Sequence, residues 1–145
     1  MRICVEALDY AFQKERRIPS KEDYQKIAEL KSASLIATCC NIAAVFKKDK
    51  LAKRLHSFGK NMGIAFQMRD DILDTINDGD GKGRMSNFRP SIVATLMEHS
   101  SLTGKEAVGR AIKLHNSYID KAVKELGSFG AAELLAVYAD SVRVN

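Results

Sequence analysis

Phe66-Gln67-Met68-Arg69-Asp70-Asp71-Ile72-Leu73-Asp74 decides how this chain is read. Gln67, Asp70, Asp71 and Asp74 stand at i, i+3, i+4 and i+7, which on a helix is one stripe. Like charges at i,i+4 cost only a few tenths of a kcal/mol, about 0.2–0.5, so a solvated acidic face is the plain reading. Three features weigh against it. Met62, Ile64, Phe66, Met68, Ile72, Leu73 and Ile76 surround the stripe with apolar side chains, as in a largely buried helix. Gln67 carries the polar line one turn further. Gly59 and Gly63, four residues apart on one face, lie just upstream. Each glycine costs a helix about 1 kcal/mol against alanine, so close approach of a second helix or a ligand is expected there. A hard divalent cation would convert the repulsion into binding. Carboxylates without His or Cys suit Mg²⁺ shared with phosphate oxygens rather than zinc.

Outward from this helix the chain reads as helices with short breaks. Met1 to about Arg17 is helical, with Ile3, Leu8, Ala11 and Phe12 on one face. It begins without an N-cap, which suggests a larger fold cut at this point or a first turn that frays. Ser20 caps a second helix with Glu22 and Asp23 in its first turn, running to about Lys48. Its middle is apolar nearly all round, as in a buried central helix. A narrow polar stripe of Lys31, Ser34, Thr38 and Asn41 is expected to face a cavity or a partner. A third helix covers about Asp49 to Asn77, with a kink expected near Gly59. Asp78 to Gly83 is a loop. It is no calcium loop, because the twelfth position from Asp78 is Arg89 where a carboxylate is required. Pro90 is placed in the first turn of a helix reaching Glu98. Thr103 and Glu106 form a capping box for a helix to about Leu126. Gly127 stops that helix, and Ser128 caps a last one to about Arg143. The expectation is an all-α helical bundle of about six helices.

Composition bounds the rest. With 145 residues, 46% hydrophobic and 28% charged, the chain is about one globular domain. A net charge of +5 allows anionic partners. No basic–aromatic interleaving or helix-turn-helix pattern supports nucleic acid. Cys4, Cys39 and Cys40 have neither disulfide nor metal spacing and read as core residues of a reducing compartment. The apolar run Ala33–Phe46 is too short and interrupted to insert stably in a membrane, so a cytoplasmic protein is expected.

Phe-Gln-x-x-Asp-Asp-x-x-Asp resembles the second aspartate-rich motif of the trans-isoprenyl diphosphate synthases, the polyprenyl synthetase family. Other segments follow in that family's order. Lys31-Ser32 resembles its Lys-Thr pair, and Glu6-Ala7-Leu8-Asp9 a Gly-Gln-x-x-Asp stretch. Gly81-Lys82 resembles the Gly-Lys after the motif, and Arg89-Pro90-Ser91 a Lys-x-Thr segment. The resemblance implies the C-terminal half of the isoprenoid synthase fold, with residues 1–145 a single partial domain. It implies Mg²⁺ held by Asp70, with Asp71 and Asp74 supporting. Lys31, Lys82 and Arg89 would contact diphosphate, and Phe66 would face the prenyl chain. Ser32 and Gln67 would stabilise an allylic cation by their dipoles, whereas Glu6 and Asp9 read as structural. The implied reaction joins an allylic diphosphate to isopentenyl diphosphate. The family's first aspartate-rich motif does not occur in this sequence. A homo-oligomer or an N-terminal-half partner is therefore expected, with little activity alone. The alternative is a non-catalytic partner subunit acting by helix association.

Overall fold

The computed structural model describes residues 2–46, 51–77, 90–127 and 132–144. Every regular element among them is helical. Helix α1 is Arg2–Glu15 and α2 is Lys21–Ala28; a π-helical turn, Glu29–Ala33, joins α2 to α3, Ser34–Phe46. Then follow α4 (Ala52–Asn77), α5 (Ile92–Ser100), α6 (Gly104–Leu126) and α7 (Ala132–Ser141). Since α2, the π turn and α3 are continuous, the described residues make six helical rods, the number expected.

The ends are set by local chemistry. Ser20 Oγ accepts from the Asp23 amide at the start of α2. Thr103 and Glu106 cap α6 reciprocally, as their spacing predicts. Arg16 closes α1 in the left-handed region, φ 51°. The Arg17 amide reaches back to the Phe12 carbonyl and the Arg16 amide to that of Gln13, a Schellman closure. One boundary differs from expectation. Pro90 precedes α5, and the N-cap is Ser91, whose hydroxyl accepts from the Ala94 amide. A side-chain acceptor outranks proline's fixed φ in choosing where the helix starts. Ser128 lies outside the described residues.

Helix α4 is the axis of the bundle and packs against α6, α3, the π turn, α5 and α2. It runs as unbroken α-helix through Gly59. Ile64, Met68 and Ile72 enter one buried cluster with Tyr24, Ala28, Ile92, Val93, Leu96, Ala107 and Ala111. Phe58, Met62 and Ala65 enter a second with Ile119, Ala122, Leu126 and Ala139. His115, fully buried on α6, has its ring nitrogens 2.9 Å from Ala65 O and 3.1 Å from Val142 O; the neutral ring donates its single N–H to one of them and packs against the other. It thereby fastens α4 to the C-terminal segment.

Helix α3 departs from the all-round burial expected of it. Ala33 and Ala37 are buried, while Leu35 is 66% and Ile42 48% exposed. The hydroxyls of the expected polar stripe are satisfied within their own helix. Ser34 and Thr38 return their hydroxyls to the carbonyls of Leu30 and Ser34, and Lys31 pairs with Asp9. The physical reason is asymmetric packing. Small residues on one face meet α4, and no described element covers the opposite face.

Candidate functional site

Two glycines build the floor of the site. A Cβ on Gly63 would lie 2.3 Å from Ala33 Cα, and one on Gly59 2.8 Å from Ala37 Cα. Both are backbone collisions, so α4 passes α3 at a separation only glycine permits. The close approach expected from their spacing is thus made by a helix. It brings the π turn onto the carboxylate stripe. Ser32 Oγ donates to Gln67 Oε1 at 2.9 Å. Single π turns inside α-helices recur at functional sites, and this one carries both Lys31 and Ser32.

The three aspartates do not behave alike. Asp70 and Asp74 are exposed, one turn apart. Asp71 turns inward. Its Oδ2 accepts from Tyr24 Oη at 2.7 Å and from the Ile92 amide at 2.9 Å; its Oδ1 accepts from Gln67 Nε2 at 3.2 Å. Burial raises the Asp71 carboxyl above its ordinary range, against the opposing pull of the Tyr24, Ile92 and Gln67 hydrogen bonds. Asp70 is also raised, chiefly by desolvation and further by Asp74, with Arg69 acting the other way. Burial, then Asp71, pushes the Tyr24 phenol well up, so it stays a donor.

The other sequence-derived candidates divide. Phe66 is 39% exposed. Lys31 reaches Asp9 at 2.9 Å, so Asp9 is the partner of a candidate site lysine as well as part of α1. Lys82 and Arg89 lie outside the described residues. Among the described residues no three His, Cys, Asp or Glu side chains stand together as a metal site. Asp70 and Asp74 form, among the described residues, an exposed pair of oxygen donors one turn apart. Such a pair fits Mg²⁺, which takes one or two carboxylates and completes its shell from water and phosphate.

Sequence reading missed Tyr24 and the α5 amino terminus. Tyr24 lies 47 residues from Asp71 and has no spacing signature. Its one signal is chemical, since a tyrosine at a core position needs a partner for its hydroxyl.

Comparison with known proteins agrees with the helical fold. The sequence model of the polyprenyl synthetase family matches residues 3–125. A short chain isoprenyl diphosphate synthase of Methanothermobacter thermautotrophicus is 30% identical over 159 residues, covering 99% of this chain and 47% of that protein. A geranylfarnesyl diphosphate synthase of Natronomonas pharaonis is 33% identical over 108 residues, 72% of this chain and 31% of the relative. Among solved structures, a geranylgeranyl pyrophosphate synthetase of the archaeon Geoglobus acetivorans superposes with a TM-score of 0.82 at 25% identity, covering 99% of this chain and 54% of that one. A heptaprenyl diphosphate synthase of Staphylococcus aureus shares the fold, with a TM-score of 0.81 at 16% identity over 97% of this chain and 55% of its own. The chain spans less than half the length of these sequence relatives. With an all-α bundle, an intact Phe-Gln-x-x-Asp-Asp-x-x-Asp helix and a family match over most of its length, the chain belongs to the polyprenyl synthetase family.

Proposed function

We propose that this chain supplies one wall of a prenyltransferase site that joins an allylic diphosphate to isopentenyl diphosphate, the opposing wall coming from an N-terminal half, joined or separate. The observation that carries it is the division of the stripe, Asp71 held into the protein while Asp70 and Asp74 face outward beside Gln67 and Phe66. Asp70 and Asp74 would hold Mg²⁺, with Asp71 supporting from behind. Bound there, Mg²⁺ would neutralise charge on the leaving diphosphate. Lys31, 46% exposed at its side chain, would exchange its Asp9 contact for diphosphate oxygens, and Lys82 and Arg89 would add cations. Phe66 would lie along the prenyl chain. Gln67 Oε1 and Ser32 Oγ would turn their dipoles toward the allylic cation, a preorganised stabilisation of developing charge. The condensation ends by loss of a proton.

The exposed Tyr10, Leu35 and Ile42 support a partner, either a second copy or an N-terminal half, since apolar faces of this kind mark association surfaces. They also favour a second reading, a non-catalytic subunit acting by helix association. No described helix is long and apolar enough to cross a membrane. The free thiols of Cys39 and Cys40 support a cytoplasmic setting.

Incubation with both diphosphates and Mg²⁺ separates the readings. The chain alone should give no prenylated product, and addition of an N-terminal half carrying the other aspartate-rich motif should restore turnover. Asp70→Ala in the reconstituted assembly should then lower turnover at least about a hundredfold, the scale of losing a transition-state charge contact. Full turnover in that variant would leave the non-catalytic reading in place.

A further inference from the structure

We propose that Tyr24 is a positioning residue for the carboxylate stripe: its buried hydroxyl, with the first amide of α5, holds Asp71 turned into the protein and so fixes how Gln67, Asp70 and Asp74 face.

A carboxylate offers about four acceptor sites, and Asp71 spends three on the protein, from three different elements. Tyr24 comes from α2, Gln67 from α4 itself, and Ile92 from α5. Tyr24 is 3% exposed, so water offers its hydroxyl little alternative. The 2.7 Å distance is that of a short, charge-assisted hydrogen bond. The Ile92 amide is one of the orphan donors at the start of α5. Ser91 satisfies Ala94, so Asp71 acts as a second cap supplied from another helix, at the end where an anion is favoured. Turned outward about its own χ1, Asp71 would leave the Tyr24 hydroxyl and the Ile92 amide without their acceptor. Held inward, it ties this turn of α4 to α2 and α5 with Asp70 and Asp74 on the exposed side.

Asp71 also sets the Gln67 amide. Gln67 donates through Nε2 to Asp71 and accepts at Oε1 from Ser32. A flipped amide would set Oε1 against the Asp71 carboxylate. Orientation therefore passes from Tyr24 to Asp71, to Gln67 and to Ser32 on the π turn, and the two dipoles assigned to the reaction depend on a phenol outside the motif.

The test uses the ¹⁵N-labelled full chain with Tyr24→Phe, and Tyr118→Phe as a control that removes a phenol beside the same core. The expected result in Tyr24→Phe is Ile92 amide exchange about tenfold faster than the change in global stability explains, the scale of a hydrogen bond to a charged group. The Gln67 side-chain amide and Ser32 signals should shift as well, with none of these changes in the control. Unmoved Gln67 and Ser32 signals with a mere loss of stability would mean that Tyr24 only fills the core, and the proposal falls. A second readout, which rests on the metal reading above, is selective broadening of the Asp70 and Asp74 amides by Mn²⁺. Its midpoint should rise about three- to tenfold in Tyr24→Phe, and an unchanged or lower midpoint overturns the positioning role. Wild-type protein without such broadening would sink the metal reading, leaving Tyr24 to be decided by the first readout. Should Tyr24→Phe fail to fold, Asp71→Asn takes its place. Its oxygen still accepts from Tyr24 and Ile92, but its amide nitrogen forces Gln67 to flip. Displaced Ser32 and Gln67 signals are expected there too, and undisplaced ones refute the relay.

Discussion

Alanine at Gly63 places a methyl group 2.3 Å from Ala33 Cα, 2.9 Å from Ala33 N and 3.0 Å from Ala33 Cβ. Ordinary contact begins near 3.4 Å, so α4 and the π turn must separate by about 1 Å. No rotamer change can relieve a backbone collision. Overpacking by a methyl-sized group costs about 1–3 kcal/mol, and the rigid partner argues for the upper end. Removing a helical glycine returns about 1 kcal/mol. The net expectation is a loss of about 2 kcal/mol for Gly63→Ala, or roughly 5–8 °C in melting temperature for a chain of this size. A separation of that order would also take Ser32 out of reach of Gln67. Gly59→Ala, whose nearest contacts at 2.8 and 2.9 Å are also backbone atoms but less severe, should lose up to about 2 kcal/mol by the same sum and less than Gly63→Ala. Gly109→Ala meets nothing within 4 Å in α6 and should gain about 0.4–1 kcal/mol. Urea unfolding followed by far-ultraviolet circular dichroism would rank the three. Equal gains for Gly63→Ala and Gly109→Ala would refute the close-crossing account.

Three further outcomes are expected. Thr103→Ala, which removes the hydroxyl that accepts from the Glu106 amide and leaves the residue-103 backbone amide on the Glu106 carboxylate, should cost about 1 kcal/mol in the same urea experiment. Desolvation depresses the His115 pKa below its ordinary 6.5; the unfolded chain then binds the proton more readily, so stability is full above about pH 6.5 and is lost as the pH falls through the folded-state value. Melting temperature should fall with acidification in that window, and His115→Gln should flatten the slope there even though it lowers stability overall. Arg54 Nε donates to the Glu125 carbonyl at the end of α6 at 2.8 Å, and its guanidinium covers Gly127, φ +58°. Arg54→Ala should cost about 0.5–1 kcal/mol, the partly screened value of a cation at a helix carboxyl end, with amide exchange quickening first in the last turn of α6.

What was legible in the sequence follows from the range of each interaction. Ser20 and the Thr103–Glu106 pair act within three residues, so their caps could be placed directly. Gly59 and Gly63 announced a close crossing because two helix-weakening residues on one face need a tertiary reason. The π turn had no such signal. Glu29-Leu30-Lys31-Ser32-Ala33 contains nothing that distinguishes it from ordinary helix, and the geometry arises where Ala33 meets Gly63. Pro90 misled because two start signals competed one residue apart and the side-chain cap won. The outer face of α3 misled for a different reason. Leu35 and Ile42 announce that something covers them, but hydrophobicity does not say whether the cover belongs to the same stretch of chain.

Asp70, Asp71 and Asp74 are indistinguishable by residue type, and helical spacing puts all three on one stripe. Their division comes from elements distant in sequence, Tyr24 and Ile92, which close around the middle acid. The hydrogen bonds of Asp71 tie α2, α4 and α5 together beside the apolar cluster those helices share, and a buried carboxylate left without such donors would be costly. The motif therefore carries two demands in nine residues. One carboxylate must find donors inside the bundle, and two must stay free to face outward. An acidic surface patch would need only the second, which is why the inward hydrogen bonds of Asp71 distinguish this stripe from a solvated face more firmly than the number of its charges does.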